Sequence, residues 1–518
     1  MLIEDVFTQH GTGEGVPLPF AYPPPAEHSS DPVLPPPQVL NQARRALVKA
    51  LPEKGLGYRS ASSHLLDDIV PALNANSRSA NYYGFVTGGA TPAAALADNL
   101  VTAYDQNVQV HLPMETVATD VEDQALRLLC QLLELDPGEW PHRTFTTGAT
   151  ASNVLGLACA REHVLRCAAS RHSSQTISVG ELGLVQAMRD AGVDSVQVLT
   201  TVPHSSLAKA ASIVGIGRAA VKSVGLPDAP HRFDHVKLEA ALASDRTASI
   251  VAISCSEVNT GRFATNGYAD MAELRRLCNK YGAWLHVDAA FGLLARTLVK
   301  DEFSKIILGT DGMELVDSIT GDGHKLLNVV GPVLPSLIVA QSDLHRHLQI
   351  GQDTFQNANA AYLNAGAVGI ASSVPSPLNI GIENSRRFRA LPVYASLVAY
   401  GKEGYREMLE RQILLSRAIA GLIIDHAAYE LLPHSSAPRS EVLEHIYVIV
   451  LFRARDENLN RELVSRINAT SKIYVSGTSW EGSPACRFAV SNWQVSQTRD
   501  LAIIREVLDV VSQDSQTL

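Results

Sequence analysis

The sequence predicts an α/β fold: a large domain built on a mainly parallel sheet, followed by a smaller C-terminal α+β domain. Three observations carry this. From about residue 80, short β-like runs alternate with helical stretches. Several runs, such as Ile250-Val251-Ala252-Ile253, are apolar on both faces, as central strands covered by helices should be. After about residue 386 the chain turns helical again, then ends in strand-like segments near 446–452, 473–477 and 486–491.

The N-terminal stretch differs from the rest. Pro23-Pro24-Pro25 and Pro35-Pro36-Pro37 favour extended polyproline geometry over 17–37. This stretch is either a floppy tail or an arm laid over a neighbouring subunit, and residues 1–80 are expected to form that arm and helices outside the main body. Thr91-Pro92 marks a helix start, with proline in the first turn where its missing N–H costs nothing. A second helix begins at about Val117, with Val121, Ala125, Leu128 and Leu132 on one face, and Pro137-Gly138 closes it. Strands are expected at 143–147, 196–200, 218–222, 249–255, 283–288, 316–320 and 335–340. Helices are expected at about 152–166, 205–213, 235–243 and 270–281. The boundaries read as 81–385 for the large domain and 386–518 for the small one.

Composition excludes several classes. The 518 residues are 46% hydrophobic and 19% charged, which rules out global disorder. A net charge of −10 argues against a broad nucleic-acid footprint. No apolar stretch approaches the ~20 residues of a membrane span. The start, MLIEDVFTQHG, has acidic residues and no apolar core of a secretory signal. Six cysteines, at 130, 159, 167, 255, 278 and 486, are scattered without a CxxC pair. Reduced thiols in a cytoplasmic protein fit better than disulfides or a zinc site, and no metal is expected. A large soluble enzyme is the expectation.

Four local features fall at strand ends, where open α/β sheets place their ligands. Thr146-Thr147-Gly148-Ala149-Thr150-Ala151-Ser152-Asn153 joins a strand to a helix. Its small residues, hydroxyls and helix N-terminus suit a phosphate; an ordinary small-residue turn is the alternative. Trp284-Leu285-His286-Val287-Asp288-Ala289-Ala290 ends a strand in a carboxylate, able to hold a proton on a heteroaromatic nitrogen or simply to cap a helix. Asp322-Gly323-His324-Lys325 offers an amine for a Schiff base, although most lysines are solvated surface charges. Pro203-His204-Ser205-Ser206 offers an imidazole to stack on a flat ring and act as acid or base, or a satisfied loop histidine.

Their order sharpens the reading. Phosphate cup, stacking histidine, aspartate and lysine together supply what pyridoxal phosphate requires. The phosphate is clamped, one ring face is covered, the pyridine nitrogen stays protonated beside Asp288, and the aldehyde is carried as an imine.

With these motifs in place, the sequence resembles the group II pyridoxal-phosphate-dependent decarboxylases, which act on aromatic amino acids, histidine, tyrosine and glutamate. The resemblance spans about residues 55–510. It also rests on Asn81-Tyr82-Tyr83-Gly84-Phe85, the run from Ala97 to Glu122, Ser385-Arg386-Arg387-Phe388-Arg389 and Arg487-Phe488-Ala489-Val490-Ser491-Asn492. It implies a type I, aspartate-aminotransferase-like fold with a seven-stranded sheet, and a homodimer with shared active sites. Lys325 would carry the imine, Asp288 would face the pyridine nitrogen, and Ala290 and His204 would cover the two ring faces. Gly148, Ala149, Thr150, Ala151 and Ser152 would hold the phosphate, with His324 close by. Lys325, His204 and Asp288 would be catalytic. Phe85, Val86 and Thr87 would line the substrate pocket, and the stretch from Val108 to His111 would reach the partner's pocket.

One departure bears on the reaction. In the family, a mobile loop before the Arg-Arg-Phe-Arg segment usually carries a tyrosine that helps protonate the substrate carbon after carbon dioxide leaves. Residues 363–385 here contain no tyrosine, histidine or lysine, and Pro377 falls near its place; Glu383 is the only ionisable side chain. Decarboxylation of an L-amino acid to an amine is the leading expectation. Decarboxylation with oxidative deamination to an aldehyde, or another carbanion reaction, is the second. A cofactor-binding dimeric scaffold without activity is the third.

Overall fold

The computed structural model describes residues 32–173, 176–329, 334–338, 354–355 and 374–513, with the backbone alone for 334–338. Most of the proline-rich arm and loop residues 363–373 lie outside the described residues. Pro36 is extended (φ −57°, ψ 148°) and Pro37 opens the helix Pro37–Ala46.

Twelve strands among the described residues form two sheets: β1 (Tyr82–Tyr83), β2 (His142–Thr146), β3 (Ser195–Thr200), β4 (Val221–Ser223), β5 (Thr247–Ser254), β6 (Trp284–Asp288), β7 (Ser318–Thr320), β8 (Leu334–Ile338), β9 (Tyr429–Leu432), β10 (Ile449–Ala454), β11 (Tyr474–Trp480) and β12 (Ser483–Ala489). The large sheet has seven strands in the order β2-β8-β7-β6-β5-β3-β4. Only β8 runs against its neighbours. The expected mainly parallel α/β sheet is therefore present, and the ends of β2, β3, β5, β6 and β7 gather the motif-bearing loops at one edge. One expected strand shifts: 218–220 is a 3₁₀ turn, because Gly217 turns the chain at φ 94°, and β4 begins only at Val221.

Side chains of the central strands alternate between two cores, as a period of two requires. Leu199, Val251, Ile253 and Val287 enter one core, while Val196, Val198, Ile250 and Ala252 enter the other. The helix Ala149–Ala169 lies across the second face, against β5, β6, β7 and the helix Ser205–Ile213. It is buried nearly all round, which explains its apolar composition without a clear polar stripe.

The smaller sheet runs β1-β11-β12-β10-β9. Tyr82 and Tyr83 pair in parallel with Tyr474 and Val475, so a segment early in the chain completes a C-terminal sheet. Two residues are too few to show a period, and sequence reading offers no sign of this pairing. The helix Ala390–Asp425, kinked at Gly401 (φ 58°), joins the two bodies: Leu409 and Ile413 pack in the large core, Leu415 and Ile419 in the small one. No described helix is long and apolar enough to cross a membrane. All six cysteines are free.

Candidate active site

The strand ends build one cleft, lined by Ala149, His204, Ser254, Ser256, Glu257, Val258, Asp288, Ala290, Phe291 and Lys325. Lys325 follows β7 and places its amine 5.1 Å from the centre of the Phe291 ring. Gly148 (φ 148°) turns β2 into the helix Ala149–Ala169, and no side chain caps that helix start. Its first-turn N–H groups are thus open to an anion. Asp288 ends β6 and accepts the N–H of Ala290 at 3.3 Å. His204 caps the helix Ser205–Ile213, with Nδ1 accepting from Ser206 N.

A continuous hydrogen-bond chain links these groups, and each donor can be assigned. Trp284 Nε1 donates to Ser318 Oγ (2.8 Å), and that hydroxyl donates to His286 Nδ1 (2.7 Å). His286 Nε2–H donates to Asn153 Oδ1 (2.9 Å). Asn153 Nδ2 then donates to Asp288 Oδ2 (2.9 Å) and to Ser206 Oγ (3.2 Å). Because His204 Nδ1 already accepts from the Ser206 amide, the Ser206 hydroxyl donates to it as well, at 2.7 Å. His204 is therefore left with its proton on Nε2. Burial holds His286 down to about 4, against the pull of Asp288, so its neutral form is the one in this chain. Burial also lowers His204, reinforced by Lys325 and Arg487 and opposed by Asp288 and Asp322.

The other expected residues are distributed more widely. Ser152 is buried and bonds Thr146 Oγ1 at 2.8 Å, while Ala151 lines a second recess with Thr147, Pro377 and Arg386. Thr150 follows Ala149 in the helix's first turn. His324 Nδ1 lies 2.6 Å from Asp322 Oδ1. Phe85 and Val86 both have positive φ (56° and 60°), a strained state for a β-branched valine, and neither lines the cavity. Thr87 bonds Asn76 instead, and the Gly88 N–H donates to His324 O at 3.2 Å, which lays this segment along the lysine turn. Val108 and His111 are buried away from their own chain's Lys325 cavity, tied to the loop end: Val108 N donates to Arg386 O (3.3 Å) and His111 N to Ser376 Oγ (3.2 Å). Sequence reasoning quoted Asn153 and Ser206 within motifs without a role for either, and it gave none to Phe291 or Glu257. His286 had a legible signal: two residues before Asp288 in a strand, it shares that residue's face.

A lysine, an aspartate and a histidine stand at the C-terminal edge of this sheet, beside an open helix N-terminus, on the fold of the type I pyridoxal-phosphate enzymes. The Pyridoxal-dependent decarboxylase conserved domain matches residues 44–439, and the chain belongs to that family of pyridoxal-phosphate-dependent amino-acid carboxy-lyases. It is 26% identical over 325 residues to L-2,4-diaminobutyrate decarboxylase of Acinetobacter baumannii, covering 62% of this chain and 60% of that one. Among solved structures, Oryza sativa TDC with PLP and tryptamine superposes with a TM-score of 0.73 at 20% identity, covering 93% of each chain. Rhodiola rosea 4-hydroxyphenylacetaldehyde synthase does so with 0.71 at 19% identity, covering 94% of each. The cofactor is pyridoxal phosphate. The residues present fit it: an uncapped helix start for the phosphate, a carboxylate across the cavity, and a lysine amine with no hydrogen-bond or ion-pair partner among the described residues.

Proposed function

We propose that the enzyme decarboxylates an L-amino acid or a derivative of one to its amine, with Lys325 binding the cofactor aldehyde and Asp288 holding the proton on its pyridine nitrogen. In this reading 148–152 and His324 hold the phosphate, and Ala290 and His204 cover the ring. The bound cofactor supplies the electron sink that takes up the electrons of the broken carbon–carboxylate bond. The observation that carries the proposal is the directed chain ending at Asp288 and at His204 Nε2–H. Asn153 donates to the carboxylate and so fixes its position at the end of β6. His204 presents Nε2–H and can orient water, but its lowered pKa leaves little imidazolium at pH 7 to donate a proton to carbon.

The aldehyde-forming reading is supported by the described part of the loop. Glu383, the loop's one acid, is held by both terminal nitrogens of Arg389 (3.1 and 3.2 Å), and Pro377 is buried in a 3₁₀ turn. A slow proton transfer leaves time for oxygen to intervene.

We also infer a cytoplasmic homodimer. Leu51, Leu56, Tyr58, Leu65 and Leu73 are exposed on the N-terminal segment, an apolar surface that a second copy would cover. The deciding experiment incubates protein saturated with pyridoxal phosphate with a panel of L-amino acids and identifies products by mass spectrometry. Carbon dioxide with amine supports the first reading; aldehyde, ammonia and peroxide support the second. No carbon dioxide from any amino acid rejects both.

A further inference from the structure

A second, larger cavity opens behind one wall of the site just described. It measures about 260 Å³ and lies where loops of the large sheet meet the C-terminal body. His231 and Arg232 enter after β4, Arg262 after β5, Lys305 from the short helix Ser304–Ile307, and Glu441 and His445 from and just beyond the helix Arg439–Glu444. It shares no lining residue with the Lys325 cavity.

The charges in this cavity are unbalanced. Arg232 is already paired with Asp270 at 2.6 Å. The side chains of Arg262 and Lys305 have no hydrogen-bond or ion-pair partner among the described residues. The carboxylate that acts on Arg262 is Glu257, whose oxygens are committed to Asn259 N, Thr260 N and Thr260 Oγ1. Burial, aided by Arg262, Arg232 and His445, presses His231 down to about 4. Burial likewise lowers His445, aided by Arg262 and Lys305 and opposed by Glu441 and Glu444. Five basic side chains from four separate chain segments thus converge on space that holds one acidic residue, Glu441.

We propose that this cavity binds a small-molecule dianion, a phosphate monoester or a dicarboxylate. Arg262 offers a planar fork and Lys305 a point charge, the pair of donors that suits a phosphate or carboxylate group. The volume of about 260 Å³ admits a small anion, a little below the roughly 300–1,000 Å³ of pockets for drug-sized ligands. The site also shares a wall with the cofactor cavity. Arg262 closes a turn in which Glu257 N donates to Arg262 O (2.8 Å) and Ser256 Oγ donates to Gly261 O (2.8 Å), and Ser256, Glu257 and Val258 line the other side.

The test is calorimetric titration of sulfate into enzyme saturated with pyridoxal phosphate, so that the phosphate cup is filled, at ionic strength fixed with sodium chloride. Sulfate stays doubly charged across the range used. One sulfate per chain is expected, bound roughly tenfold more weakly by Arg262→Gln and by Lys305→Gln. Binding tightens from pH 7.5 to 5.5, because the anion draws protons onto His231 and His445. Glycerol 3-phosphate and succinate then distinguish the phosphate source from the carboxylate one. Absence of sulfate binding in the wild type, or affinity unchanged in the variants, overturns the proposal. Should Arg262→Gln fail to fold, the exposed position of Lys305 lets Lys305→Gln decide alone.

Discussion

Replacing Asn153 by leucine tests the hydrogen-bond chain at its branch point. The side chain is fully buried and makes three bonds: to His286, to Asp288 and to Ser206. Leucine keeps the approximate volume and removes all three. His286 Nε2–H then sits in a dry interior with no acceptor, a cost of about 1–3 kcal/mol. Asp288 loses one charge-assisted bond, worth about 1.5–3 kcal/mol when buried but less here, because the carboxylate borders the cavity and can take water. A total loss of about 3 kcal/mol is expected in denaturant unfolding of the cofactor-free protein. In the loaded enzyme the Ser206 hydroxyl is no longer aligned by Asn153, His204 can exchange tautomers, and kcat should fall about tenfold or more. Asn153→Asp separates the two effects. It keeps an acceptor for His286 but sets two carboxylates side by side, so one pKa rises in the folded state. Such a group stabilises the fold below its unfolded pKa and loses that contribution as pH rises through the folded value. The aspartate variant should therefore lose more stability relative to wild type at pH 7 than at pH 5. A leucine variant within about 1 kcal/mol of wild type, with kcat within about twofold, refutes the assigned chain.

Other consequences follow from the same coordinates. Asp288→Asn removes the charge opposite the pyridine nitrogen and should lower kcat about 10²-fold or more; near-normal turnover would show that another group performs this role. Lys325→Ala should abolish turnover, read as carbon dioxide release, while leaving some cofactor held through its phosphate; retained turnover excludes Lys325. Gly156→Ala places a methyl group 2.7 Å from His286 Cε1, and overpacking of this kind costs about 1–3 kcal/mol in a thermal or urea melt. Burial holds His142 and His286 at about 4 in the folded protein. The unfolded chain binds protons on both below about 6.5, so stability is kept above that pH and lost as pH falls toward 4, by up to about 1.4 kcal/mol per unit for each histidine. Unfolding midpoints that stay level from pH 7 to 5 would contradict that neutral pair.

The large sheet was legible because burial on both faces writes itself as unbroken apolar runs such as 250–253. The Gly148, His204, Asp288 and Lys325 positions were legible because each punctuates a strand end. Partners in the chain were not, since Asn153 meets His286 only through the fit of a helix onto a sheet. Tertiary contact also overrides local preference at Val86: a valine with φ of 60° is contrary to its own propensity, and no local signal announces it. Gly156 reads as a weak point in a helix until the imidazole that occupies the missing side chain's place is known.

The parallel pairing of Tyr82–Tyr83 with β11 has a consequence for biosynthesis. Tyr82 meets Tyr474 across about 390 residues of intervening chain, so the earliest strand waits on the ribosome for nearly the last one. Until then its hydrogen-bonding edge is unpaired, and the strained turn at Phe85 and Val86 beside the lysine has no anchor on that side. The cofactor-binding half can collapse early, but its turn at 85–88 is set only when the final sheet closes. A nascent chain stalled before β11 should therefore expose this early strand to proteases and to other chains, even with its large sheet already formed.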